Sequence, residues 1–398
     1  MSLSESQILT FNAGSSSIKF ALFAPAVDGV NLLASGQIDG LGSAPRFHAK
    51  LSDCAKISRE LSAANHIDAT HSIVAWLREA FPQTAIAAIG HRIVHGGTHY
   101  SEPMRINEEL LKNLESFIPL APLHQPHNIA GVKAAQKAFP NVCQVACFDT
   151  AFHRGHSFVN EAYALPRKYY DHGVRRFGFH GLSYEYIARR LQTVDPMHAK
   201  GRVIVAHLGN GASLCAMKDG KSIASTMGFS ALEGLPMGTR CGAIDPGLLL
   251  YLLEHEQLSV RELGSLLYRQ SGLLGLSDLS NDMRMLEASD KPEAKQAVDF
   301  FIHSVSMNIA SMAATIGGVD LIVFTGGIGE NSPTIRAGVI KQLSWLGVSL
   351  SSEANDRREE KISDAASAIS VYRLSTDEEI MIALHTMAVA GLSAELGV

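Results

Sequence analysis

Twice in this 398-residue chain a strand runs into a turn of small residues and straight back into a second strand. Residues 8–11 read Ile-Leu-Thr-Phe, 12–17 read Asn-Ala-Gly-Ser-Ser-Ser, and 18–23 alternate as a returning strand, with a third expected over 31–38. The same grammar recurs as a strand at 202–206, a turn at 207–211 and a strand at 212–217, before Asp219-Gly220 signals a hairpin into 221–226. One such unit constrains little. Two at matched positions predict a duplicated α/β architecture whose halves face each other with a ligand cleft between them.

Other segments fit that reading. Residues 85–89 and 142–148 are short apolar runs of the kind that form buried strands, the first stopped by Gly90-His91-Arg92 and the second ending at Asp149. Helical spacing is expected over 67–81, 107–117 and 128–138. A further buried strand at 320–324 leads into Thr325-Gly-Gly-Ile-Gly-Glu-Asn331.

A chain of this length exceeds one ordinary core, and with 46% hydrophobic residues it has ample material for two. The net charge of −5 gives no basic field for nucleic acid or anionic lipid, so an anionic substrate needs local positive groups. Cys54, Cys143, Cys147, Cys215 and Cys241 form no CxxC pair and read as free thiols of a reducing compartment. The N-terminus lacks the basic and apolar regions of a signal peptide, and no stretch reaches the length of a membrane span. A cytoplasmic location is the expectation.

Three turns are candidates for phosphate handling. At 12–19, small residues let backbone N–H groups approach phosphate oxygens, Ser15, Ser16 and Ser17 add hydroxyls, and Lys19 adds a compact charge. It is no Walker A loop, and a Ser/Gly hairpin with a solvated lysine is the alternative. The turn His207-Leu-Gly-Asn-Gly211 is its counterpart, so the two read as a clamp on phosphate from both sides. Residues 325–331 permit close backbone approach to a nucleotide but do not spell GxGxxG. Arg92 and Arg240 each sit among glycines, where a guanidinium suits carboxylate and phosphoryl oxygens, with a structural ion pair as the alternative. Asp149 ends a strand, His180 is either functional or a satisfied core histidine, and Glu378 by itself reads as a solvated acid at a helix start.

Taken in order, 11–20 (FNAGSSSIKF), 121–124 (APLH), 148–153 (FDTAFH), 176–181 (RFGFHG), 237–242 (MGTRCG), 282–284 (DMR) and 375–379 (STDEE) resemble the acetate/propionate kinase family over essentially the whole chain. The resemblance implies the actin/Hsp70/sugar-kinase superfold: two duplicated actin-like (ribonuclease H-like) ATPase domains with the nucleotide in the cleft between them. It implies an N-terminal acyl-kinase domain of residues 1–149 plus about 380–398, and a C-terminal nucleotide-binding domain of 150–379. It also implies a homodimer, and reversible direct in-line transfer between ATP and acetate with Mg²⁺, for which Mn²⁺ can substitute.

By position, the resemblance gives Asn12 and Glu378 to the metal and Arg92, Asp149, His180 and Arg240 to catalysis. Arg92, Val94, Leu123 and Phe179 fall to the substrate. Lys19, His207, Leu208, Gly209, Asn210, Gly211, Asp282, Met283, Arg284, Gly327, Ile328, Gly329, Glu330 and Asn331 fall to the nucleotide. A carboxylic acid is already ionised at neutral pH, so no general base is needed and Asp149 is expected to orient rather than abstract. Ala231 stands where a pocket-lining proline is usual, Gln125 replaces an Asn and Thr98 a Glu. The rival expectations are a propionate kinase of the same fold and, less favoured, an ATP-driven binding protein of the Hsp70/actin kind.

Overall fold

The computed structural model describes residues 6–14, 17–52, 56–62 and 65–392, so Ser15, Ser16 and Cys54 lie outside the described residues. The chain forms two compact units, one drawn from the sequence before Phe152 and after Thr376, the other Phe152–Thr376.

The first unit is built on strands β1 (Ser6–Ala13), β2 (Ile18–Ala26), β3 (Gly29–Asp39), β4 (Arg46–Leu51), β5 (Lys56–Glu60), β6 (Ala85–Ile93), β7 (Met104–Arg105) and β8 (Cys143–Phe148), in the order β5-β4-β3-β2-β1-β6-β8-β7. β1 to β5 form an antiparallel meander, while β6 and β8 continue the sheet parallel to β1. Alternation along β2 and β4 buries Phe20 and Phe47 against Trp76 of the helix His66–Ala80, with ring centroids 5.6 and 5.5 Å from the indole. Ala69, Ile73 and Leu77, spaced four apart, complete that buried face.

Gly90 does not stop β6, which runs on through His91 and Arg92 to Ile93. The reason is tertiary. A Cβ at Gly90 would lie 2.1 Å from Thr386 Oγ1 and 2.5 Å from Ile382 Cγ2, so glycine lets the helix Glu378–Ala390 rest directly on the strand.

The second unit holds β9 (Arg202–Leu208), β10 (Ala212–Lys218), β11 (Lys221–Ser225), β12 (Leu321–Thr325) and β13 (Ser370–Arg373), in the order β11-β10-β9-β12-β13. β9–β10–β11 are antiparallel, and β12 and β13 continue parallel to β9. This repeats the arrangement β3-β2-β1-β6-β8, so the duplication read from two turns extends to five strands of each sheet. Asp219 (φ 52°) and Gly220 (φ 70°) make the tight β10–β11 turn that the dipeptide signals. His207 and Leu208 belong to β9, which shortens the turn to 209–211, and the glycines after Thr325 form the helix Gly326–Asn331 itself.

The helix Gly181–Val194 lays Tyr184, Ile187 and Leu191 into the core with Val203 and Val205 of β9, and the 25-residue helix Pro292–Ile316 also packs on this sheet. Among the described residues, no helix is long and apolar enough to cross a membrane. Cys143, Cys215 and Cys241 are free thiols.

Candidate active site

In the first unit, β1, β6 and β8 are parallel neighbours, and their C-terminal ends bring polar groups to one sheet edge. Arg92, next to the end of β6, is the hub. Its Nη1 donates to Asn12 Oδ1 (3.1 Å), its Nη2 to Asp149 Oδ2, and its Nε lies 3.6 Å from Glu378 Oε2. Asn12 Nδ2 closes the ring by donating to Glu378 Oε2 at 3.2 Å. Asp149 is 1% exposed. Burial works against the Arg92 charge, but Asp149 and Glu378 outweigh it and hold the guanidinium above its ordinary pKa.

Glu378 is thus no solvated acid. It does start a helix, capped by the Asp377 side chain on Ile380 N–H (2.9 Å), but the helix aims it at Arg92. Asn128 ties this edge together, accepting from Val94 N–H (2.9 Å) and donating to the Ala13 carbonyl (2.7 Å). Gln125 spans both backbone groups of His95 through its side-chain amide, and Thr98 is exposed. Val94 is buried just beyond β6, and Leu123 is half-buried before the helix Gln125–Ala138. Lys19 pairs with Asn12 across β1–β2 and faces a 520 Å³ cavity shared with Lys50, Lys56, Asp377 and Glu379. Burial pushes both of these carboxyls up, and Lys19 pulls them down.

In the second unit, His180 occupies the left-handed region (φ 59°) just ahead of the helix Gly181–Val194. Its ring stacks on His207 at 4.3 Å, and its Nδ1 meets Ser213 Oγ at 2.8 Å. Arg240 anchors Nη1 on the Ala231 carbonyl (2.6 Å). A Cβ at Gly211 would lie 3.1 Å from Arg240 Nη2 and 3.2 Å from His180 Nε2, so guanidinium and imidazole converge above that glycine. A guanidinium beside an imidazole that carries its proton on Nε2 forms an anion-binding pair.

Gly209, Asn210, Asp282, Met283, Arg284, Gly327, Ile328 and Asn331 line one cavity of 1000 Å³ in this unit. His207, Leu208, Gly211, Gly329 and Glu330 do not line it, and Glu330 turns its carboxylate onto the backbone N–H groups of Gly326 and Thr376. Asp282 accepts from the Arg284 backbone and guanidinium, which hold its carboxyl below the ordinary range. Sequence reasoning missed Glu287, Thr334 and Arg358 on the cavity wall. Only Arg358 carries a mark, its left-handed φ of 57°, and that is invisible in the sequence.

Behind His180, Phe179 is buried and its carbonyl meets His153 Nε2 at 2.9 Å. Ser222 Oγ bonds both His153 Nδ1 (2.8 Å) and His156 Nε2 (2.7 Å). Burial, with neighbouring charge, pushes His153 down to about 3 and His156 down to about 4. In the unfolded chain both take up protons below about pH 6.5, and in the folded unit they do not until near those lowered values. Their stabilisation is therefore complete above about pH 6.5 and falls by about 1.4 kcal/mol per histidine for each pH unit below it. Opening free energies from hydrogen exchange in β9–β11 should drop between about pH 7 and pH 5, and equal values would contradict the neutral buried pair.

Two sheets of repeated topology, each presenting anion-binding groups at strand ends, define the actin/Hsp70/sugar-kinase fold. More narrowly, the chain belongs to the Acetokinase family, whose profile matches residues 7–384. It is 52% identical over 392 residues to the acetate kinase of Methylocella silvestris, covering 96% of this chain and 97% of that one. Among solved structures, Porphyromonas gingivalis acetate kinase superposes with a TM-score of 0.86 at 36% identity, covering 96% of this chain and 99% of that one. A propionate kinase from Francisella tularensis gives 0.90 at 38% identity, covering 96% and 100%.

Proposed function

We propose that this chain transfers a phosphoryl group reversibly between ATP and acetate, giving acetyl phosphate and ADP by direct in-line attack. The observation that carries the reading is the Arg92 cluster: a half-buried guanidinium held between Asp149 and Glu378 at the ends of three parallel strands. A fixed cation there suits a carboxylate nucleophile, which arrives ionised and requires only charge compensation and alignment. Asp149 is buried and engaged with Arg92, so its role is to orient the guanidinium. Arg240 and His180 take the equatorial oxygens of the transferring group, where negative charge concentrates. The cavity at Gly209–Asp282–Gly327 holds the nucleotide.

Mg²⁺ fits the residues present. Asn12 and Glu378 offer only oxygen donors to a metal and are bonded to each other. Among the described residues no three His, Cys, Asp or Glu side chains form a metal cage. A hard cation that arrives with phosphate and keeps several waters needs no such cage, and Mn²⁺ accepts the same donors. When bound, the ion neutralises phosphate charge.

The Francisella propionate kinase gives the second reading a footing, since the same fold serves a longer acid. Val94, Leu123 and Phe179 are the side chains assigned to the acyl methyl, and Val94 leaves less room than alanine. One methylene is worth about 1–3 kcal/mol, so propionate should be a slower substrate and not an excluded one. Val94→Ala should narrow the kcat/KM gap. A wild-type preference for propionate would overturn the choice of acetate.

The homodimer has its own support. The helix Pro246–Glu254, PGLLLYLLE, buries none of its residues within the chain, and Leu248, Leu250 and Tyr251 are exposed. A second copy covering this face accounts for so apolar a helix. Sedimentation should give the mass of two chains, and a single-chain mass at micromolar concentration would remove this part of the proposal.

A further inference from the structure

A neutral imidazole carries one proton, and which nitrogen holds it decides whether His180 can donate to an anion above Gly211. Its Nε2 is the nitrogen that converges with Arg240 Nη2 there. Its Nδ1 points the other way, to Ser213 Oγ at 2.8 Å, and Ser213 Oγ in turn meets Tyr184 Oη at 2.5 Å. Ser213 and Tyr184 are both fully buried, Ser213 on β10 and Tyr184 in the first turn of the helix that follows His180.

The chemistry of the three groups gives this chain a direction. A phenol is a far stronger acid than an alcohol, so in a short bond between the two hydroxyls the tyrosine is the favoured donor. Ser213 then accepts from Tyr184 and gives its own proton to Nδ1, which must be the acceptor nitrogen. That leaves the imidazole proton on Nε2. The opposite order would place a lone pair on Nε2, facing the same anion that Arg240 attracts, and each bond in the series reinforces the next in a dry interior.

We propose that Tyr184 and Ser213 are positioning residues, a hydrogen-bond relay that fixes His180 as the Nε2–H tautomer ready to donate to a phosphoryl oxygen. The donor role rests on the phosphoryl-transfer reading above, while the tautomer belongs to the resting protein and can be read without turnover.

The test is nitrogen NMR of the full chain labelled with ¹⁵N-histidine, with His180→Gln assigning the signal. The expected result near neutral pH is a pyridine-like Nδ1 and a pyrrole-like Nε2 on His180. A pyridine-like Nε2, or two protonated nitrogens, overturns the relay. Ser213→Ala should abolish the single tautomer and lower kcat by about tenfold to a hundredfold, with KM for acetate and ATP within about twofold. Tyr184→Phe, which removes one oxygen and keeps the ring, should move both readouts the same way by less. Unchanged kcat in Ser213→Ala also overturns the proposal. A protein that shows the tautomer but makes no acyl phosphate would instead sink the reaction assigned above and leave the relay standing.

Discussion

Arg92→Ala is expected to lower kcat/KM about a thousandfold or more and, separately, to weaken the first unit by about 3–5 kcal/mol. A role with substrate, taken by itself, predicts that only activity should suffer. The structure changes that, because Arg92 is bonded to Asp149, which is 1% exposed, and faces Glu378. Removing the guanidinium leaves two carboxylates crowded at a buried sheet edge without the cation between them, a more costly situation than losing a surface pair. Trp76 is buried in this unit while Trp345 is 70% exposed, so urea denaturation followed by tryptophan emission chiefly reads the unit that matters. Arg92→Lys should recover part of the stability and little of the activity, since an ammonium keeps the charge but not the fork that reaches Asn12 and Asp149 together. Near-normal turnover by a folded Arg92→Ala protein would remove the residue from the mechanism.

Arg240→Ala should separate the two effects. Its loss is expected to reduce kcat about a thousandfold, the scale of an arginine that meets transferring phosphoryl charge. Its Nη1 donates to the Ala231 carbonyl, and the loss of that charged hydrogen bond by itself costs about 1.5–3 kcal/mol. Ala231 also takes on a different meaning. An alanine in place of the usual proline suggests a looser acyl pocket, but its backbone oxygen holds Arg240, and that oxygen survives the change of side chain. Initial rates at saturating substrates decide the case, and a kcat within tenfold of wild type would contradict a role in the transition state.

What the sequence made legible was local. Strand alternation and small-residue turns depend on neighbours a few positions away, so the β1–β2 and β9–β10 units, and with them the duplication, could be read directly. Gly90 misled because its reason lies almost 300 positions on, where Ile382 and Thr386 come down on the strand. Glu378 failed in the same way: an acid at a helix start is indistinguishable from a solvated one until the helix is docked beside Arg92. The resemblance to a family, and not its local pattern, singled it out. His180 could be noticed for its glycine neighbours, but nothing in the sequence foretold its left-handed backbone or the Ser213–Tyr184 support behind it.

The most direct test of the account is to trap acyl phosphate as its hydroxamate after incubating the protein with acetate, ATP and Mg²⁺, with propionate and no-acid controls in parallel. The account predicts hydroxamate that depends on acetate, matched one for one by ADP and slower to form with propionate. ADP release that is indifferent to added carboxylate, with no hydroxamate, would contradict it.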